Sequence, residues 1–332
     1  MEKILIIGPS WVGDMVMMQS LCMKLKQKDP DVLIDVVASA WSLPVLKRMP
    51  EVRHAITLDM QHGKFGFGNR WRLGKRLSSE GYCRAIVVPR TFKSALVPLI
   101  AGIPIRTGYR GEMRYLLLND IRRLDKDRFT QTVQRYVALA LERELKATPS
   151  VSFPGLEVSV EGRDQLVARF GLKTVNLVAL LSGAEYGSAK QWPPEYYAEV
   201  GTALSENGAQ VVILGSEKDN LVGERIVSYS GGALMNLCGK TSLEEVVDLL
   251  SLCRVAVTND SGLMHVAAAV GTRVIAIYGS STPDYTPPLT DRASILCQRL
   301  DCSPCFDREC RFGHTKCLTG ISPRQVLQQL QL

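Results

Sequence analysis

The sequence predicts an α/β protein built from two doubly wound parallel sheets. Short apolar runs that are typical of buried strands alternate with segments of helical periodicity in both halves of the chain. This alternation favours parallel sheets covered by helices on both faces. The chain has 332 residues, which is more than one hydrophobic core usually supports, so two domains are expected.

The first half is predicted to form an N-terminal Rossmann-like domain over residues 1–155. Its strands are expected at 3–8, 32–38, 55–58, 84–88 and 105–108, and its helices at 14–28, 42–49, 70–80, 93–101 and 130–146. Residues 147–155 contain two prolines and a glycine but no charge, which is typical of a linker.

The second half repeats this plan and predicts a C-terminal Rossmann-like domain over 156–332. Strands are expected at 175–181, 210–214, 234–237, 254–257 and 273–277, and helices at 193–207, 218–229, 242–251 and 261–270. Residues 283–320 look loop-rich, and a last helix at 323–331 is a candidate to pack back on the N-terminal domain. Ligands of parallel sheets bind beyond the carboxyl ends of the strands, so two facing domains would enclose one cleft.

Composition and charge narrow the class of protein. The N-terminus shows no signal-peptide pattern and no apolar stretch reaches 18 residues, so we expect a cytosolic chain that could still touch a membrane surface. Residues 1–160 carry 25 Lys and Arg against 15 Asp and Glu, whereas residues 161–332 carry 15 against 18. This basic first half favours an anionic partner such as anionic lipid or phosphorylated glycan. No pattern indicates nucleic-acid binding.

The first strand ends in the segment Gly-Pro-Ser-Trp-Val-Gly-Asp at residues 8–14. It differs from a dinucleotide fingerprint because the middle glycine is Ser10, and the second strand ends without an acid to hold a ribose, so a dehydrogenase is weakly supported. Asp14 would lie in the first turn of the next helix. It is a candidate general base, although an acid also suits the positive end of a helix.

Three strand ends of the second half carry candidate ligands for a diphosphate. Lys190 precedes a helix that starts near Pro193, and a lysine beside a positive helix end favours a bound anion. Glu217 follows the second strand, where it could bind a ribose or merely help start a helix. Ser261 and His265 stand four residues apart after the run Asn259-Asp260, hence on one helical face.

Four of the nine cysteines cluster near the C-terminus. Cys302, Cys305, Cys310 and Cys317 have a loop-like spacing that is close to structural zinc patterns but matches no standard one. Two interpretations stand: a structural zinc site, or reduced structural or redox-active thiols. Catalytic zinc is disfavoured because four thiolates would leave no open position.

Five segments, taken in order, resemble glycosyltransferase family 9, the ADP-heptose:lipopolysaccharide heptosyltransferases. They are residues 8–14, Phe-Lys-Ser-Ala-Leu at 92–96, Arg-Thr-Gly-Tyr-Arg-Gly-Glu-Met-Arg-Tyr at 106–115, Lys-Gln-Trp-Pro at 190–193 and Asn-Asp-Ser-Gly-Leu-Met-His at 259–265. The resemblance implies a GT-B fold and an inverting transfer of L-glycero-D-manno-heptose from ADP-heptose that requires no metal. The acceptor would be the first inner-core heptose on Kdo2-lipid A, at the cytoplasmic face of the inner membrane.

Carried over by position, the resemblance implies a role for each matching residue. Asp14 corresponds to the base. The donor contacts would be Lys190, Glu217, Asp260, Ser261, Gly262 and His265. Candidate acceptor contacts, suggested by the charge of the basic half, are Lys93, Arg110 and Arg114. Glu185 and Tyr186 replace the threonines that some relatives carry ahead of the lysine.

Alternative functions remain open from the sequence. The nearest is another heptosyltransferase of the same family, or a transferase using another nucleotide sugar. A non-catalytic sugar-nucleotide-binding protein of envelope assembly and a redox or zinc-responsive module built on the cysteines are two others.

Overall fold

The structure, a computed structural model, describes residues 1–59, 65–145 and 147–331. It divides into two compact units, Met1–Pro154 and Gly155–Leu332, a boundary one residue from the predicted one. In the described part of the chain, no helix combines the length and apolar character needed to cross a membrane.

The first unit contains a six-stranded parallel sheet in the order β3-β2-β1-β4-β5-β6. Its described elements, in chain order, are β1 (Lys3–Ile7), α1 (Val12–Lys28), β2 (Leu33–Ala38), α2 (Leu43–Leu46), β3 (His54–Thr57), α3 (Phe67–Leu77), β4 (Arg84–Val87), α4 (Leu96–Ile100), β5 (Ile105–Tyr109), β6 (Asp120–Arg122) and α5 (Thr132–Ala140).

The second unit contains another six-stranded parallel sheet, in the order β12-β11-β10-β7-β8-β9. Its described elements are α6 (Val160–Phe170), β7 (Leu177–Leu181), α7 (Pro194–Glu206), β8 (Gln210–Ile213), α8 (Asn220–Tyr229), β9 (Met235–Asn236), α9 (Leu243–Leu252), β10 (Val255–Asn259), α10 (Gly262–Ala269), β11 (Arg273–Tyr278), β12 (Ala293–Cys297), α11 (Lys316–Thr319) and α12 (Pro323–Leu330). The two parallel sheets confirm the predicted fold class.

Several element boundaries differ from prediction. The helix expected over 130–146 ends at Ala140, where the carbonyls of Ala138 and Leu139 accept hydrogen bonds from Arg122 and Arg84. Residue 146 lies outside the described residues. Helix α6, which the pattern did not predict, is capped by Ser159, whose hydroxyl accepts from the Gly162 N–H. The region expected to be loop also contains β12 and α11.

The apolar face of the last helix packs within the second unit. Val326 and Leu330 are buried in the same core as the strands β7, β8, β10 and β11. Arg273 adds a hydrogen bond to the Gln329 carbonyl. A capping box at Ser322 starts the helix, as the Ser-Pro pair predicted.

Trp192 joins this helix to the sheet. Its indole is 1% exposed and lies edge-on to Tyr196 and Tyr197, with ring centroids 5.5 and 5.0 Å away. The indole N–H donates to the Ile321 carbonyl at 2.8 Å. One side chain therefore fixes both the residues after Lys190 and the start of α12.

Replacing Trp192 with Ala should lower the free energy of unfolding of the second unit by about 3–5 kcal/mol, because a large cavity forms and a buried carbonyl loses its donor. Urea or calorimetric unfolding measures this. Leu221→Ala, at a residue that is 77% exposed, is the matched control and should cost less than about 0.5 kcal/mol. Equal losses of unfolding free energy in the two variants would contradict the role of Trp192 in the core of the second unit.

Candidate active site

In the first unit, the turn between β1 and α1 presents a carboxylate at the carboxyl edge of the sheet. Asp14 is the third residue of α1, and its side chain is half-buried. The Tyr136 hydroxyl donates to Asp14 Oδ1 at 2.7 Å. The turn itself is held by Trp41, whose indole N–H donates to the Ser10 carbonyl at 2.8 Å. Asp14 is thus an oriented acid at the positive end of a helix.

Tyr136 is a site residue that the sequence analysis missed. It lies on α5, which packs against α1, and stands 122 residues from Asp14 in the chain. No local spacing marks such a partner, because the contact depends on how two helices pack on the same face of the sheet. Its effect is to orient the carboxylate.

The three candidate acceptor contacts have different environments. Lys93 lies in a 3-10 turn over Phe92–Ala95, after β4, and is half-buried. Arg110 follows β5, is exposed, and has its guanidinium 5.9 Å from the centroid of the Tyr115 ring. Both residues therefore follow the carboxyl ends of strands in the first sheet.

Arg114, the third candidate, is buried. The residue is 2% exposed, and its guanidinium donates to the carbonyls of Pro89 at 2.6 Å and Tyr109 at 2.7 Å. It also donates to the Thr91 carbonyl and to the Ser94 hydroxyl. Burial lowers the pKa of Arg114 to about 10, with the Arg90 charge acting in the same direction. Arg114 instead ties the segment after β4 to the segment after β5.

In the second unit, Asn259 connects the end of β10 to the segment after β7. This residue is fully buried, and its side-chain oxygen accepts from the Trp192 backbone N–H and the Tyr197 hydroxyl, both at 3.0 Å. Its amide nitrogen donates to the Ser182 carbonyl at 2.8 Å. One amide therefore holds residues 182–192, which include Lys190, against residues 259–265.

Lys190 and Asp260 form an ion pair beside this amide. Lys190 Nζ lies 2.5 Å from Asp260 Oδ2, with side chains 17% and 5% exposed. The same carboxylate oxygen accepts from the Ser281 hydroxyl at 2.5 Å, and the Asp260 N–H donates to the Ile277 carbonyl. An ammonium has three N–H groups, so pairing with one carboxylate does not exhaust Lys190 as a donor.

Helix α10 begins directly after this pair. Ser261 is its N-cap, and no backbone N–H is capped by the Ser261 side chain; Gly262 is its first residue. His265 is 4% exposed. Burial lowers the pKa of His265 to about 4, which the Asp260 carboxylate opposes and the Lys190 ammonium reinforces. The imidazole is therefore neutral near pH 7.

Three buried polar atoms at this edge have no hydrogen-bond partner among the described residues. They are Ser182 Oγ after β7, His265 Nδ1 on α10 and Ser280 Oγ after β11. Buried polar groups are nearly always paired in folded proteins. Their placement beside the N-terminus of α10 is typical of a site that binds a polar, anionic ligand.

Glu217 extends this edge to the next strand. It begins a 3-10 turn over Glu217–Asp219 after β8 and is exposed. Its carboxylate lies against Gly239, where any side chain would overlap it. In the sheet order, β7 lies between β10 and β8, so Lys190 follows the strand between those of Asp260 and Glu217.

The four clustered cysteines line one cavity together with Ala189 and Ser280. The surrounding loop supports the Lys190 segment: the Ala189 N–H donates to the Arg308 carbonyl at 3.0 Å. Gly187 has φ 156° and lies so close to this carbonyl that a side chain would overlap it. The Phe306 N–H also donates to the Ser280 carbonyl at 2.7 Å.

These thiols do not fit a metal ion as they are arranged. Within residues 1–59, 65–145 and 147–331, no group of three or more His, Cys, Asp or Glu side chains could hold one. All four cysteines are free thiols. Backbone N–H groups, that of Thr315 first, hold the pKa of Cys310 below its ordinary value. The backbone contacts at Ala189 and Ser280 give this loop a supporting role beside the Lys190 segment.

Comparison with known proteins places these features in a family. The profile of glycosyltransferase family 9 (heptosyltransferase) matches residues 70–316. The chain is 46% identical to lipopolysaccharide heptosyltransferase 2 of Salmonella typhimurium, over 99% of this chain and 97% of that protein. It is 48% identical to lipooligosaccharide heptosyltransferase 2 of Haemophilus influenzae, over 99% and 98%.

A solved structure agrees with these sequence matches. The Escherichia coli ADP-heptose lipopolysaccharide heptosyltransferase II has a TM-score of 0.89 and 43% identity to this chain, with 99% of this chain and 97% of that chain covered. This similarity covers nearly the whole chain and agrees with the family profile and with the parallel sheet in each unit. The chain belongs to glycosyltransferase family 9, the heptosyltransferases.

Proposed function

We propose that this chain transfers L-glycero-D-manno-heptose from ADP-heptose to the first heptose of the lipid A-linked inner core, with inversion at the anomeric carbon. The observation that carries the proposal is the Lys190–Asp260 pair beside the N-terminus of α10, surrounded by unpartnered buried polar atoms. The high identity to two heptosyltransferase 2 proteins supports this choice of donor and acceptor.

The donor diphosphate would bind at the start of α10. Backbone N–H groups of the first turn, those of Ser261 and Gly262 among them, have no partner within the helix and attract anions. Lys190 would add a charged donor, held in place by Asp260, which acts as a positioning residue. His265 would meet the ligand as a neutral imidazole because its pKa lies near 4. Glu217 would accept hydrogen bonds from the ribose hydroxyls.

The acceptor side of the reaction would use Asp14. Inversion requires the acceptor hydroxyl to attack the anomeric carbon from the face opposite ADP, and a carboxylate that takes the proton as the bond forms accelerates this step. Tyr136 orients that carboxylate. Lys93 and Arg110 are proposed to contact acid groups of the acceptor, while Arg114 holds the segments that carry them.

The departing ADP needs its charge stabilised, not a proton, because a diphosphate is already a good leaving group. Lys190 and the N–H groups of α10 could supply this stabilisation in a preorganised form. We therefore propose that catalysis requires no metal cofactor. In this scheme, the loop that carries Cys302, Cys305 and Cys310 supports the segment of Ala189 and Lys190, because its Arg308 carbonyl accepts from the Ala189 N–H.

The defining experiment is mass spectrometry of a Kdo2-lipid A acceptor that carries one heptose, after incubation with ADP-heptose and the purified chain. We expect a mass increase of one heptose unit. Transfer only to an acceptor without heptose, or only from another nucleotide sugar, would indicate a different transferase of the family. Donor binding in calorimetry without product would indicate a non-catalytic binding protein.

Asp14→Asn should lower kcat by about 10²–10⁴-fold, because the amide cannot accept the proton. The affinity for ADP-heptose should stay within a few-fold, since the residue lies outside the proposed donor site. Steady-state kinetics and calorimetry measure the two quantities. Tyr136→Phe is the companion variant: it should lower kcat more than it changes KM. Unchanged turnover in Asp14→Asn would remove this residue from the mechanism.

Lys190→Ala should weaken ADP binding by about 10–100-fold, the loss expected for a charged hydrogen bond. Calorimetric titration with ADP measures this, and thermal unfolding shows whether the variant, which leaves Asp260 unpaired, still folds. Lys173→Ala is the matched control because Lys173 is exposed and precedes β7, at the opposite end of the strand from Lys190. A folded Lys190→Ala variant that binds ADP as tightly as the wild type would refute the phosphate role.

A further inference from the structure

Helix α3 presents aromatic and basic side chains on its exposed face, and the proposed chemistry does not use them. Phe67 is 51% exposed and Trp71 is 46% exposed, one turn apart, with ring centroids 6.0 Å from each other. Lys75 Nζ lies 5.4 Å from the centroid of the Trp71 ring. Arg72 and Arg76 are exposed beside them. We call these five residues the α3 stripe.

The opposite face of α3 is firmly packed, so the stripe is held in place. Leu73 and Leu77 are buried in the core of the first unit. At Gly74, a Cβ would lie 2.6 Å from the Ile100 Cβ, so α3 approaches α4 more closely than a side chain allows. Arg70, also buried, donates to the Phe65 carbonyl at 2.9 Å and closes the segment ahead of the helix.

The sequence segment that carries the stripe has charged residues of one sign only. The sequence contains no Asp or Glu between Asp59 and Glu80, whereas it contains five Lys or Arg residues over that stretch. Exposed Trp and Phe beside Lys and Arg is the composition of helices that lie at a membrane interface. A lipid surface offers partners for both kinds of side chain: the headgroup region for the two half-exposed rings and lipid phosphates for the cations.

We propose that the α3 stripe docks the enzyme on a bilayer surface that contains anionic phospholipid headgroups. The rings would enter the headgroup region and the cations would bind the lipid phosphates. Helices α1 and α3 both follow parallel strands and so begin at the same edge of the first sheet. Docking would therefore bring this edge, with Asp14, towards a lipid-linked acceptor. This step of the inference rests on the proposed function.

Binding of the full-length chain to vesicles tests the surface without any assay of catalysis. We expect the wild type to sediment with phosphatidylcholine vesicles that contain about one-third phosphatidylglycerol, and not with pure phosphatidylcholine. Each cation near such a surface is worth about fivefold in binding, so the Arg72→Gln, Lys75→Gln pair should weaken it by about 25-fold. Phe67→Ala with Trp71→Ala should weaken it by about tenfold.

A matched control pair lies on α8, where Arg225 and the 56% exposed Tyr229 offer one cation and one ring. Arg225→Ala with Tyr229→Ala should leave vesicle binding within about twofold. Lipids brominated in their acyl chains should quench the fluorescence of the wild type, which has four tryptophans, and Trp71→Phe should remove most of this quenching. The proposal would be overturned if the wild type and both α3 variants bound anionic vesicles equally well. It would also be overturned if the wild type bound neutral and anionic vesicles equally well.

A second assay separates the two proposals. The α3 variants should transfer heptose normally to an acceptor whose acyl chains have been removed, but more slowly than the wild type to the same acceptor in anionic vesicles. Equal rates on vesicles would overturn the docking role. No transfer by the wild type to either acceptor would refute the proposed function. Vesicle sedimentation would still test whether the α3 stripe binds an anionic bilayer.

Discussion

The buried amide of Asn259 is the contact on which the candidate donor site depends. It joins the end of β10 to the segment after β7 through four groups: the Trp192 N–H, the Tyr197 hydroxyl and the carbonyls of Ser182 and Gly183. With these segments in register, Lys190 and Asp260 meet although they are 70 residues apart. The ion pair is a consequence of this backbone arrangement, because a buried charge pair is stable only where further hydrogen bonds satisfy it.

The surroundings of the pair explain why the site remains suited to an anion. Asp260 neutralises Lys190 in the protein itself, and Ser281 takes part of the remaining hydrogen-bonding capacity of the carboxylate. Attraction for a diphosphate would then come from the N-terminus of α10, the other N–H groups of Lys190 and the unpartnered polar atoms nearby. The loop that carries the clustered cysteines contributes through its backbone: the Arg308 carbonyl accepts from the Ala189 N–H, and the Phe306 N–H donates to the Ser280 carbonyl.

Basic residues of the first unit divide into two physical groups. Arg84, Arg114 and Arg122 each donate to at least one backbone carbonyl and stabilise helix ends and loops. Arg72, Lys75 and Arg76 are exposed, and the Lys75 ammonium lies over the Trp71 ring. The net charge of this half of the chain is therefore not a measure of the charge available to a partner. Burial decides which cations a bilayer or an acceptor can meet.

The sequence by itself determined the two parallel sheets, the strand ends that carry Asp14, Lys190 and Asp260, and the resemblance to one family. These features are encoded locally, because apolar periodicity sets burial and a polar corner must follow a strand that runs into a helix. Only the tertiary structure decided that Tyr136 orients Asp14, that Arg114 is buried, that α12 packs on the second sheet and that the cysteine loop supports Ala189. Each of these depends on contacts between distant segments, and their energies arise from packing that no local spacing records.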